Sequence, residues 1–262
     1  MAGKIITISS GKGGVGKTTS TANIGLGLAM LGERVICIDA DIGLRNLDVM
    51  LGLENRIVYD IVNYIEGRCR FRQVMVRDKR YPELFLIPAA QTRDKEAITI
   101  EDMKRVAHKA AEIADYVLID SPAGIEHGFQ YAVAPADQVL IITNPEVAAV
   151  RDADRVIGLI EAQARGVASN LVINRMQMDM VRRNEMLDSD TVVDLLAIDL
   201  IGVVPEDNQI LAASNRGQPV VLRQNTLASK AFYNIARRLR GEDVPFEPLK
   251  EPGLLQRIFG AR

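Results

Sequence analysis

The chain is poor in the residue types on which several kinds of site depend. Its 262 residues include two cysteines and two histidines. Cys37 lies inside the apolar run Val35–Ile38 and Cys69 stands in a charged segment, with neither CxxC spacing nor neighbouring histidines. That pattern specifies neither a zinc site nor a disulfide framework, and Cys37 reads as a small buried side chain. His108 and His127 are isolated, so both read as structural or solvated. No apolar run approaches the ~20 residues of a spanning helix. The start Met1–Lys4 leads at once into a strand, leaving no room for a signal peptide, so the expected location is cytoplasmic. A net charge of −2 gives no global bias toward nucleic acid, although a local basic patch stays open. Internal repeats and low-complexity stretches are absent.

What the chain does have is a glycine-rich segment comprising Gly11, Lys12, Gly13, Gly14, Val15, Gly16, Lys17, Thr18 and Thr19. It matches the phosphate-loop spacing G-x-x-x-x-G-K-[ST], follows the apolar run Ile5–Ile8 and precedes a helical pattern over Thr18–Leu31. The glycines allow successive backbone N–H groups to converge on phosphate oxygens at the positive end of the helix. Lys17 is expected on the β- and γ-phosphates, and Thr18 on Mg²⁺, which takes oxygen ligands in near-octahedral geometry. Gly11, Gly13 and Gly16 also spell G-x-G-x-x-G, with Asp39 about 20 residues on, as a dinucleotide fingerprint asks. A Lys-Thr pair after the last glycine has no role there, so a nucleoside triphosphate is the expected ligand.

Short β-branched runs alternate with helical patterns. Strands are expected at Lys4–Ser9, Val35–Asp39, Leu84–Pro88, Tyr116–Asp120, Gln138–Thr143, Asn170–Asn174 and Ile201–Val204. Helices are expected at Thr18–Leu31, Ile100–Ala114, Val147–Arg165, Thr191–Ala197 and Leu227–Arg240. This order predicts an α/β fold, a doubly wound, mostly parallel sheet with helices on both faces, forming one domain over residues 1–240. Ligands of such sheets bind beyond the carboxyl ends of the strands. Asp120 ends an apolar strand, the place of the second phosphate-loop signature, where a carboxylate holds Mg²⁺ through a water. After it, Ser121–Gly124 reads as a switch in which Gly124 offers its N–H to the γ-phosphate. Asp39 is placed to support the Mg²⁺ shell and Asp41 to orient the attacking water, with helix capping before Leu44–Leu51 as the plainer alternative for both.

Lys12 stands where ordinary phosphate loops accept almost any residue. The K-G-G-x-G-K-[ST] form resembles the deviant phosphate loop of the MinD/ParA group of ATPases. Six further stretches, Asp39–Asp48, Gln91–Lys95, Asp120–Glu126, Thr143–Glu146, Val150–Asp152 and Val204–Asp207, resemble its septum-site-determining MinD family and extend the likeness over nearly the whole chain. The nitrogenase iron protein shares the loop but needs cysteines for an iron–sulfur cluster, which Cys37 and Cys69 do not match. The resemblance implies ATP hydrolysis with ATP/ADP and Mg²⁺. It implies a homodimer in which Lys12 reaches the partner's nucleotide, with Asp41 as the residue that positions water. Adenine is implied near Asn174 and the Pro205, Glu206, Asp207 turn. Arg151, Asp152, Asp154 and Arg155 are implied to recognise MinC and MinE, whereas by pattern alone they form a solvated helix start. A ParA-like DNA-segregation ATPase, for which Arg237, Arg238 and Arg240 are the one basic run, and a flagellar-number regulator are the alternatives.

After Arg240 the composition changes: Gly241–Gly253, with three prolines, reads as an extended linker. Beyond it, Leu254, Leu255, Ile258 and Phe259 fall on one stripe of a helix, with Gln256 and Arg257 on the other side. So short a segment is marginal as a helix in water. One reading packs it on its own domain. The other, favoured by the linker and by the resemblance, seats it on a membrane surface, helped by Lys250, Arg257 and Arg262, so that the protein is peripheral on the inner membrane in the ATP state. Burial of the four apolar side chains is worth about 1.5–3 kcal/mol each before ordering costs, so one tail binds weakly and a dimer with two binds well.

Overall fold

A computed structural model of the chain describes residues 2–92, 97–163, 166–223 and 225–247. Its centre is one eight-stranded sheet: β1 (Lys4–Ser9), β2 (Val35–Asp39), β3 (Val76–Arg77), β4 (Leu84–Ile87), β5 (Tyr116–Asp120), β6 (Gln138–Thr143), β7 (Ala168–Met176) and β8 (Asp199–Pro205). The spatial order is β3-β4-β2-β5-β1-β6-β7-β8, and every pairing is parallel except β3 with β4. The doubly wound expectation therefore holds. The two-residue β3 is an addition, too short to carry a periodic signal.

The helices are α1 (Lys17–Met30), α2 (Leu47–Leu51), α3 (Ile61–Ile65), α4 (Phe71–Val74), α5 (Ile100–Ala111), α6 (His127–Val133), α7 (Val147–Gln163), α8 (Met178–Arg182), α9 (Ser189–Leu196), α10 (Asn208–Ser214) and α11 (Leu227–Leu239). The five helices expected from sequence correspond to α1, α5, α7, α9 and α11, with ends shifted by a few residues. Those missed are one or two turns long and lie between strand ends and loops. Their starts are set locally: the Asp60 side chain accepts the Asn63 N–H to open α3, and Asp207 accepts the Gln209 N–H to open α10.

Alternation along the strands divides the core. Ile6 and Ile8 of β1, Val35 and Cys37 of β2 and Leu118 of β5 face α1 and α11, whereas Ile5, Ile36, Ile38, Val117 and Ile119 face α3, α5 and α6. A third apolar cluster joins β6 and β7 to α7 and α9. With both faces covered, the central strands are apolar at nearly every position, as parallel sheets require. Beyond α11 the chain from Gly241 to Glu247 is held to the domain at its start. Arg238 donates to the carbonyls of Val244 and Pro245 at 2.9 Å, and its guanidinium lies 4.1 Å from the centre of the Phe246 ring. The stretch expected to be an extended linker thus begins packed, because Arg238 bridges the last helix to it. Lys250, Leu254, Leu255, Arg257, Ile258, Phe259 and Arg262 lie outside the described residues.

Phe232 is fully buried on the α1/α11 side of the sheet. Phe232→Ala is expected to lower stability by about 3–5 kcal/mol, read from urea denaturation. A loss below about 1 kcal/mol would show that this layer collapses around the cavity.

Candidate nucleotide site

The loop from Ser10 to Gly16 leaves the end of β1 and turns into α1. Gly14 and Gly16 have φ values of +78° and +102°, the left-handed region that suits glycine. Gly16 is constrained twice, since a Cβ there would lie 2.3 Å from Asn174 Nδ2. No side chain caps α1 and no acidic residue stands in its first turn, so its leading N–H groups and its positive end suit an anion. Gly11 is required for a different reason. A Cβ at that position would fall 2.2 Å from the carbonyl oxygen of Asp152 in α7. The expected glycine roles thus separate into turn geometry at Gly14 and Gly16 and helix contact at Gly11.

The two lysines occupy different environments. Lys17 is 7% exposed and its Nζ donates to Ser10 Oγ at 2.8 Å. Burial lowers its pKa, opposed by the charges of Asp120 and Asp41. Lys12 is half exposed, with its Nζ 3.9 Å from Glu146 Oε2, at the rim rather than inside the loop.

Asp39 and Asp120 stand side by side at the ends of neighbouring strands β2 and β5. Burial raises the Asp39 carboxyl to about 8, with the Asp120 charge adding to the shift and backbone N–H donors opposing it. Burial likewise raises Asp120 to about 6, against hydrogen bonds from Thr18 and Thr21 and the charge of Lys17. Thr21 Oγ1 lies 3.2 Å from Asp120 Oδ1. Both Asp39 oxygens serve the loop: Oδ1 accepts the Asp41 N–H at 3.0 Å, and Oδ2 accepts those of Asn46 and Leu47 at 3.1 Å. The capping alternative thus describes the contacts of Asp39, which shapes the segment carrying Asp41 and opens α2. Asp41 is partly exposed at this edge and acts electrostatically on Lys17, Asp39 and Asp120.

The donor set suits Mg²⁺. Thr18 and Asp120 bring two oxygen ligands together beside a second buried carboxylate, an excess of negative charge that a divalent cation relieves. Among the described residues no cluster of three or more His, Cys, Asp or Glu side chains forms an all-protein metal site.

Asn174, expected at adenine, is 4% exposed; its Nδ2 donates to the Val15 carbonyl at 2.7 Å and its Oδ1 is buried without a hydrogen-bond partner. One side chain thus pins the loop and keeps an acceptor in reserve. Pro205 ends β8, Glu206 donates its N–H to the Met176 carbonyl at 3.0 Å, and Asp207 caps α10, which sets this turn against the end of β7. Gly124 has φ +91°, the left-handed region that suits glycine. On α7, Arg151, Asp154 and Arg155 are exposed and Asp152 half-buried, with Arg155 3.7 Å from Asp152. The basic run is consumed internally: Arg237 and Arg240 bond Glu242, Arg240 also pairs with Glu33, and Arg238 holds the carbonyls of Ile201, Val244 and Pro245.

The AAA domain family matches residues 3–173. The septum site-determining protein MinD of Bacillus subtilis (strain 168) is 48% identical, with 99% of each chain covered. The chain belongs to the MinD family of septum-site-determining ATPases. Among solved structures, the MinC:MinD cell division protein complex of Aquifex aeolicus is similar with 49% identity and a TM-score of 0.86, over 94% of this chain and 98% of that one. MinD from Pyrococcus horikoshii OT3, complexed with Mg-ADP, is 25% identical with a TM-score of 0.81, over 90% of this chain and 95% of that one. Outside the phosphate-loop motif, Ser10 holds Lys17 and Thr21 reaches Asp120 from one helical turn beyond Lys17. The i+4 spacing of Thr21 from Lys17 was the one available signal.

Asp39 and Asp120 bind protons more tightly folded than unfolded, where aspartate titrates near 3.8. The unfolded chain therefore carries fewer of these protons, and the stability of the nucleotide-free protein falls as pH rises from about 4 to about 8. Asp39→Asn keeps an acceptor and is expected to flatten that slope, read from urea midpoints at about pH 5 and pH 8. A wild-type midpoint that rises over the same window would contradict the buried-charge account.

Proposed function

We propose that the chain is an ATP-driven dimeric switch that marks the division site from the surface of the inner membrane. The observation that carries the reading is the separation of its two loop lysines, one buried within its own loop and one at the rim. Gly11–Thr19 cradle the triphosphate of ATP, with Lys17 on its terminal phosphates. Thr18 and Asp120 hold Mg²⁺, which when bound neutralises charge on the phosphates. Lys12 exchanges Glu146 for the partner's nucleotide and so makes ATP a condition of dimerisation. Asp41 orients the attacking water, and Gly124 donates to the γ-phosphate. Asn174 Oδ1 accepts from adenine beside Pro205, Glu206 and Asp207.

The sheet-edge location of all these groups supports this assignment, because phosphoryl transfer needs mainly positioning and charge neutralisation. Domain 1–240 carries the switch, 241–253 is the connection and 254–262 is the anchor. Two tails presented by one dimer bind an anionic surface through Leu254, Leu255, Ile258 and Phe259, with Arg257 toward the headgroups. No described helix is long and apolar enough to cross a membrane. The division inhibitor MinC docks on Arg151, Asp152, Asp154 and Arg155; the Aquifex complex supports MinC as a partner, and the close approach of this helix to Gly11 supports the place. MinE acts on the same face to stimulate hydrolysis and return the protein to the cytoplasm.

Lys17→Ala is expected to lose Mg·ATP binding, whereas Lys12→Ala keeps it and loses ATP-dependent dimerisation; equilibrium nucleotide binding and analytical ultracentrifugation separate the two. Normal dimerisation of the Lys12 variant would remove the cross-subunit role. Deleting 254–262 is expected to leave ATP binding and dimerisation intact and to abolish sedimentation with anionic vesicles in ATP. Equal vesicle binding of the intact chain in ADP and ATP would sink the two-tail anchor.

A further inference from the structure

Tyr131 lies in α6, fully buried, and its hydroxyl donates to the Ala40 carbonyl at 2.6 Å. That carbonyl belongs to the peptide group joining Ala40 to Asp41. The N–H of the same peptide donates to Asp39 Oδ1 at 3.0 Å. One peptide plane is therefore held at its oxygen by Tyr131 and at its nitrogen by Asp39, which fixes the direction in which the Asp41 side chain departs. The preceding peptide is also fixed, since the Ala40 N–H donates to the Asp120 carbonyl at 3.0 Å. The Ile42 N–H, at 3.1 Å, is a second donor to the Ala40 oxygen.

The tyrosine is itself firmly placed. Thr7 Oγ1 donates to the Ala132 carbonyl at 2.7 Å, tying α6 to β1. A Cβ on Gly128, one helical turn before Tyr131, would fall 2.4 Å from Pro122 Cγ, so the switch segment 121–124 rests on the same face of α6. Burial, with the neighbouring Asp41 and Asp39 charges, raises the phenol pKa and keeps the hydroxyl a donor.

We propose that Tyr131 is a positioning residue for ATP hydrolysis, which sets the orientation of Asp41 through the Ala40–Asp41 peptide. The proposal rests on Asp41 as the residue that orients water. Tyr131 acts through the Ala40 carbonyl, so its effect lies in the turnover step and not in binding.

The test is single-turnover hydrolysis by the full chain with Mg·ATP and anionic vesicles, alongside nucleotide affinity, dimerisation and thermal midpoint. Tyr131→Phe keeps the ring and loses the donor. It is expected to slow hydrolysis by about 10- to 100-fold, the scale of a displaced catalytic group, with ATP affinity and dimerisation within about twofold of wild type. Incorporating 3-fluorotyrosine at position 131, which retains the hydroxyl, is expected to restore the rate. Adding Tyr131→Phe to Asp41→Ala is expected to slow hydrolysis no further, because both act through one group. Wild-type hydrolysis by Tyr131→Phe, a loss of ATP affinity equal to the loss of rate, or a full additional loss in the double variant would each overturn the proposal. Wild-type hydrolysis by Asp41→Ala would instead refute the underlying assignment of Asp41.

Discussion

The placement of two buried carboxylates at adjacent strand ends governs the chemistry of this protein. Asp39 and Asp120 meet because β2 and β5 are parallel neighbours in register, with Lys17 entering from α1 above them. Unpaired negative charge in such a place is costly, and the structure answers in two ways. Asp39 gathers three backbone N–H groups and becomes an organiser of the following loop. Asp120 collects hydroxyls from α1 and is matched to a cation. Similar side chains at equivalent strand ends thus take different work from their immediate partners.

The same economy of contacts links the nucleotide loop to surfaces beyond it. Gly11 lets the backbone of α7 at Asp152 approach the loop. Asn174 joins the end of β7 to the loop through Val15. Tyr131 joins α6 to the Asp41 segment. A change at the phosphate loop therefore meets short, packed routes to α7, to the end of β7 and to the segment carrying Asp41.

The phosphate loop, the sheet and the strand-end acids were legible because each rests on local sequence: glycine spacing, β-branched runs and carboxylates closing them. The contacts of Asp39 were half legible, since capping and metal support demand the same residue in the same place. Short helices such as α6 were not legible, because one or two turns carry too little periodicity and are set by packing. The partners of Arg237, Arg238 and Arg240, which are Glu33, Glu242 and the carbonyls of the packed chain end, were not legible in the basic run itself.

By itself the sequence determined the ligand class, the α/β alternation and the membership of the strand-end cluster, all properties of residues near one another in the chain. Tertiary structure alone decided that Lys12 faces Glu146 while Lys17 is buried, that Gly11 answers to α7, and that Tyr131 holds the peptide before Asp41. These are contacts across 91 to 159 positions in the cases of Tyr131 with Ala40 and Asn174 with Val15. No local pattern encodes such pairs; they arise when parallel strands bring distant loops to one edge of a sheet.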